Sequence, residues 1–159
     1  MVMGLLPDDS FKIAPAFFVS QVDIFGPYSS YSNANKRATV MIWILLHCCC
    51  VTGAVDMKMM EDYSTEAFLL AFTRFSCRCG YPKTLYIDEG SQLVKGCKDM
   101  VISFVDLSNR LSFEYGISFH TCPVGANYMN GKAECKIQQV QKSMVAFDNE
   151  RLSILQWEH

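Results

Sequence analysis

Asp23, Asp88 and Glu134 are the three acidic residues whose surroundings suit metal-dependent chemistry on a phosphodiester backbone. Asp23 and Asp88 close apolar runs of strand character, and Glu134 follows a polar loop at the start of a helical pattern. A phosphodiester is anionic and resists nucleophilic attack, which two divalent cations relieve by holding the attacking and leaving oxygens in line. Mg²⁺ takes hard carboxylate oxygens and keeps several waters, so a few carboxylates on rigid elements around one crevice are sufficient. Neither His nor Cys is needed for such a site.

The elements that must position these acids are legible in the hydrophobic pattern. Ala16 to Phe25 reads as a strand, with Phe17, Val19, Gln21 and Asp23 on one face and Phe18, Ser20, Val22 and Ile24 on the other; Gly26 and Pro27 end it. Arg37 to Cys50 predicts a long apolar strand, Gly53 a turn, and Ala54 to Met60 a third strand joined as a hairpin. Ser64 is a good N-cap, Glu66 suits the first turn, and Phe68, Ala71, Phe72, Phe75 and Cys79 recur at helical spacing before Gly80 and Pro82. Thr84 to Asp88 is a short strand. A helix is expected over about Lys98 to Phe113, closed by Gly116, then a fifth strand from Ile117 to Cys122 and a glycine-bearing loop from Pro123 to Gly131. The last helix starts near Lys132. Ala133, Ile137, Val140 and Met144 form its narrow apolar stripe, with Glu134, Gln138 and Gln141 stacked on a polar side.

With 159 residues, half of them hydrophobic, the chain suffices for one domain with a sizeable core. The formal charge of -2 supplies no general basic field, so a nucleic-acid partner must be held by local cations and metal-bridged phosphates. The eight Cys include the run Cys48, Cys49 and Cys50 but no CxxC pair, and no His stands at zinc-finger spacing; buried thiols in a reducing intracellular compartment fit better than a structural zinc. Ala38 to Val55 is apolar enough for a membrane span, yet His47, Thr52 and Gly53 interrupt it, and a buried strand, turn and strand explain the run without a membrane. His47 and His120 read as core or edge residues, Trp43 as packed, and Met57, Met59 and Met60 as fillers of core gaps.

The order of elements and three local strings carry a resemblance. VDIFGPY around Asp23, DYSTEAFLLAFTRFSCRCGYPKTLYIDEGSQ leading through Asp88, and PVGANYMNGKAECKIQQV around Glu134 resemble the catalytic core of retroviral and LTR-retrotransposon integrases. The STEAF helix, the GYPK turn and the long glutamate segment look most like elements of the BEL/Pao kind. The match runs from about Leu6 to Phe147, with 65 residues between the aspartates and 46 from Asp88 to Glu134. The resemblance implies an α/β, ribonuclease H-like fold. It would have a five-stranded mixed sheet flanked by helices, with the first three strands antiparallel and the last two parallel. It divides the chain into an N-terminal extension (1–15), a core (16–147) and a tail (148–159).

By the same resemblance, Asp23, Asp88 and Glu134 are the catalytic metal ligands for Mg²⁺ or Mn²⁺, two ions when DNA is bound. The reactions implied are trimming of the element's DNA ends and transfer of the 3′ hydroxyl into target DNA, in the nucleus, by a homodimer or higher oligomer. The loop Gly125 to Gly131 would close over a DNA end, and Asn130, Lys132, Lys136, Gln138, Gln141 and Lys142 would contact it. Singly, each acid has an ordinary use, as a turn residue or as a complement to a helix dipole. Their joint occurrence in order, with matching surroundings, overturns those uses.

The chain departs from the family pattern at Glu89, where a neutral residue is usual, at Cys135, where a basic residue commonly follows the glutamate, and at Asn127, where His is frequent. Neither the zinc-binding N-terminal module nor the basic C-terminal module is present in the sequence. A fragment of a polyprotein, or a decayed or domesticated copy, accounts for that. The competing expectation is a catalytically silent module that keeps the fold for protein interaction or nucleic-acid binding.

Overall fold

Strand β1 (Val19–Tyr31) is the scaffold on which the rest is ordered. The computed structural model describes residues 14–31, 39–88, 104–122 and, further on, 135, 136, 138–140, 142 and 143, with backbone alone at 88, 104–107, 121 and 122. The expected tail, and all but the end of the expected N-terminal extension, lie outside the described residues.

β1 pairs antiparallel with β2 (Thr39–Cys49), which pairs antiparallel with β3 (Val55–Met60). On its other side β1 pairs parallel with β4 (Thr84–Asp88), which pairs parallel with β5 (Ser118–Cys122). The five-stranded mixed sheet therefore runs β3-β2-β1-β4-β5, the α/β arrangement expected. Helices α1 (Thr65–Cys79) and α2 (Phe104–Tyr115) provide the parallel crossovers.

α1 forms where its signals are strongest. The Ser64 hydroxyl accepts the Ala67 N–H at 3.1 Å, satisfying one of the free donors of the first turn, and Gly80 at φ 84 ends the helix with its N–H on the Ser76 carbonyl. Phe68, Phe72 and Phe75 are fully buried against Val22, Leu45, Leu85 and Ile87 of the sheet, and Leu111 brings α2 into the same cluster. Arg110 of α2 pairs with Glu66 of α1 at 2.6 Å; Glu66 is mostly exposed, so this contact adds little stability.

Three sequence expectations are corrected. β1 does not stop at Gly26 and Pro27 but continues to Tyr31, with a register shift between Phe25 and Tyr28 that absorbs the two residues as a bulge. Glycine is required there: φ is +133, and a Cβ would lie 3.0 Å from the Ile42 carbonyl oxygen. Phe17 precedes the strand at φ 64, and its ring packs edge-on to Phe75 at 5.2 Å, on the face opposite the one expected. Met57 is 46% exposed, while Met59 and Met60 are buried, because β3 is an edge strand and only its end reaches the core. Of the run Ala38 to Val55, residues Thr39–Cys49 form the inner strand β2, flanked by β1 and β3. Among the described residues no helix is long and apolar enough to cross a membrane. Helix α2 occupies Phe104–Tyr115; the expected start at Lys98 lies outside the described residues.

Candidate active site

Strand parity and register bring the first two acids together. β1 and β4 pair at Val19↔Thr84, Ser20↔Leu85, Gln21↔Tyr86 and Val22↔Ile87, a constant offset of 65 residues. The next step of that offset sets position 23 beside position 88 on adjacent strands, about 4.8 Å apart. Parallel neighbours in direct register share a face, so the backbone puts both aspartate positions on one side of the sheet. Asp88 is in turn paired with Cys122 of β5.

Asp23 is half-buried, and its Oδ1 accepts the N–H of Ile24 at 2.8 Å, which fixes the carboxylate against its own strand. A hard carboxylate oxygen so held, next to a second aspartate position, matches the donor chemistry Mg²⁺ or Mn²⁺ requires. Its charge is felt locally: burial first, and the Asp23 carboxylate second, push the Tyr63 hydroxyl well above its ordinary pKa. On the same face two residues earlier, Gln21 is 6% exposed, a buried amide adjoining the acid.

Glu134 lies outside the described residues, as do Asn130, Lys132 and Gln141. Residues 135, 136, 138–140, 142 and 143 are helical where the last helix was expected, and the Ser143 hydroxyl bonds back to the Gln139 carbonyl at 3.0 Å. Val140 packs against Phe25, Ile44, Leu46 and Cys48. Leu46 is the register partner of Asp23, so this helical segment lies over the Asp23 face. Lys136 is half-buried, with Nζ 3.3 Å from Gln139 Oε1, while Gln138 and Lys142 are exposed and one helical turn apart. Among the described residues no three His, Cys, Asp or Glu side chains converge as metal ligands; of the expected trio only the Asp23 side chain is described.

The opposite face is occupied differently. His47 is completely buried, stacked on Phe75 at 3.8 Å, with neither ring nitrogen hydrogen-bonded. Burial, then the nearby Lys58 charge, lowers its pKa to about 3, so it is a neutral core residue. Asp56, its register partner on β3, is held by Lys58 at 2.6 Å and Arg78 at 2.8 Å. His120, by contrast, is exposed on edge strand β5 and stacks on Tyr86 at 5.3 Å. The Tyr86 and His120 pair went unread because neither residue carries a signal until register makes them neighbours.

No family model matches the chain, and no curated protein sequence matches it. Among solved structures it is similar to a chain of the simian T-cell lymphotropic virus intasome, determined in complex with the PP2A regulatory subunit B56 gamma. The TM-score is 0.55 at 12% identity, over 86% of this chain and 43% of that one. This chain thus spans less than half the length of the structure it matches, and at that identity the likeness shows a shared fold and nothing more.

Proposed function

We propose that the chain is the catalytic core of a retroelement integrase of the LTR-retrotransposon type, BEL/Pao-like, with a ribonuclease H-like fold. Asp23, Asp88 and Glu134 are its catalytic and metal-holding residues. The observation that carries this reading is the 65-residue register offset, which makes neighbours of the two aspartates singled out by their sequence surroundings. The integrase-like fold of a retroviral intasome chain supports it.

Mg²⁺ or Mn²⁺, held by these carboxylates, would supply charge neutralisation and an activated attacking oxygen for in-line displacement at phosphorus. The protein's part is positional. β1 and β4 set the two aspartate positions side by side on a stiff parallel ladder, and the Ile24 N–H orients the Asp23 carboxylate. Glu134 completes the set from the segment that leads into the helix seated over this face. Gln138 and Lys142, exposed on one side of that helix, contact phosphate and sugar of a DNA end, together with Asn130, Lys132, Lys136 and Gln141. Trimming of the element's DNA ends and transfer into target DNA are the two reactions, carried out in the nucleus. Leu70 of α1 and Phe113 of α2 are 62% and 95% exposed and supply apolar surface for pairing with a second copy.

The test is cleavage of a branched DNA by the purified chain in Mn²⁺. Strand cleavage is expected, and Asp88→Asn lowers it by about a hundredfold or more while leaving the unfolding midpoint in place. A chain that neither cleaves DNA nor binds Mn²⁺ is instead the silent interaction module.

A further inference from the structure

The sheet face that bears Asp23 continues outward over β4 and β5. One row below the aspartates, Gln21, Tyr86 and His120 stand in register across three parallel strands. Gln21 is buried, Tyr86 half-buried and His120 exposed, so the row opens progressively toward the edge of the sheet. The Tyr86 and His120 rings lie 5.3 Å apart at 25°, stacked on one another, so the exposed His120 ends the stack toward the sheet edge. One row lower again come buried Val19, half-buried Thr84 and exposed Ser118, so the two members toward the sheet edge bear hydroxyls. A stack that only clipped an edge strand in place would be served by aliphatic neighbours. Here an exposed ring is framed by hydrogen-bonding groups and sits beside the acids.

Two residues along a strand span about 6.6 Å. That is the reach from a backbone phosphate, across one sugar, to its base. A phosphate held at positions 23 and 88 therefore brings the adjoining base to the level of this row, where the exposed His120 can extend the stack onto it. Every nucleobase has a flat π-face, and stacking on an aromatic side chain is tolerant of sequence. An apolar protein segment fits less well, since the hydroxyls below and the buried amide inside this row offer it no aliphatic contact.

We infer that Tyr86 and His120 form a stacking platform that holds an unpaired nucleobase next to the phosphate at Asp23 and Asp88. This rests on the nuclease reading above and extends it. The pair are positioning residues: they fix the strand beside the reacting phosphate and do none of the bond-making. The platform takes a base freed from its duplex partner, so it favours frayed or overhanging DNA ends over intact duplex.

The experiment is equilibrium binding of the purified chain to fluorescein-labelled branched DNA in Mn²⁺, read by anisotropy. Each nucleotide within two positions of the junction is replaced in turn by an abasic residue. One abasic position is expected to weaken binding about tenfold. His120→Ala weakens binding to intact DNA by a similar factor but has no further effect on DNA abasic at that position. His120→Trp keeps the affinity. A merely structural stack would lower the unfolding midpoint in His120→Ala while every DNA kept its rank, and that result overturns the platform. Binding indifferent to all abasic positions also overturns it and leaves the nuclease reading intact. No DNA binding at all brings down both.

Discussion

The two faces of one sheet, built largely from the same strands, differ most where they cross β1, β4 and β5. On one, β1 contributes Val22 and Ile24 to a dry cluster with Leu45, Leu85, Ile87 and the phenylalanines of α1. On the other, beside a smaller apolar patch of Phe25, Ile44, Leu46 and Cys48, the same strand presents Gln21 and Asp23, and β4 and β5 add Tyr86 and the exposed His120. Alternation along a strand separates these sets without a second layer of sheet. The dry face supplies stability and the polar face supplies chemistry, so each should respond to its own class of substitution.

The largest expected effect tests that division directly. Phe72 is fully buried, with ring neighbours His47, Phe75 and Tyr115, so Phe72→Ala should cost about 3–5 kcal/mol in urea denaturation. Asp23→Asn keeps an oxygen for the Ile24 N–H and should shift stability by less than about 1 kcal/mol, while lowering DNA cleavage by about a hundredfold or more. If Asp23→Asn instead unfolds the chain as Phe72→Ala does, the acid is a structural residue and the division fails.

The dry face was the more legible in sequence. Ser64, the phenylalanine spacing and Gly80 fix α1 locally, and β4 runs over the residues expected, because strong local signals there agree with the tertiary packing. β1 was misread at Gly26 and Pro27, since a turn signal and a bulge use the same residues; only pairing with β2 decides between them. Exposure of Met57 was equally hidden, because sequence does not say which strand lies at an edge. On the polar face, Asp23 was recognisable from its surroundings, but its proximity to Asp88 depends on parallel pairing across 65 residues, which no local pattern encodes. Tyr86 and His120 meet for the same reason. Glu134 lies outside the described residues, and its place in the site rests on its sequence surroundings.

A smaller effect concerns the histidine ring inside the dry face. His47 lies among Phe72 and Phe75, with Asp56, Lys58 and Arg78 the charged groups nearest it on β3 and α1. Its pKa is depressed to about 3, so below its ordinary value of 6.5 the unfolded chain binds a proton that the folded chain refuses. Stability is therefore fully present above pH 6.5 and falls as pH drops toward 3, by about 1.4 kcal/mol per pH unit from this group. His47→Phe keeps a ring on Phe75 and removes both unsatisfied nitrogens, so its urea midpoint should change less between pH 7 and pH 5 than that of the natural chain. Equal pH dependence in the two proteins would mean that this face admits water.

The smallest effect sharpens the contrast from outside the core. Ser64 caps α1 through the Ala67 N–H at 3.1 Å and donates in turn to the Asp62 carboxylate. Ser64→Ala leaves that N–H without its cap and should cost about 1 kcal/mol, whereas Ser64→Gly, which lets water reach the same donor, should cost only a few tenths. α1 covers the dry face alone, so DNA cleavage measured well below the unfolding midpoint should be unchanged in both variants. A loss of cleavage in step with the loss of stability would show that strain in α1 passes through the sheet to Asp23. The two faces would then be one mechanical unit, not two independent surfaces on a shared backbone.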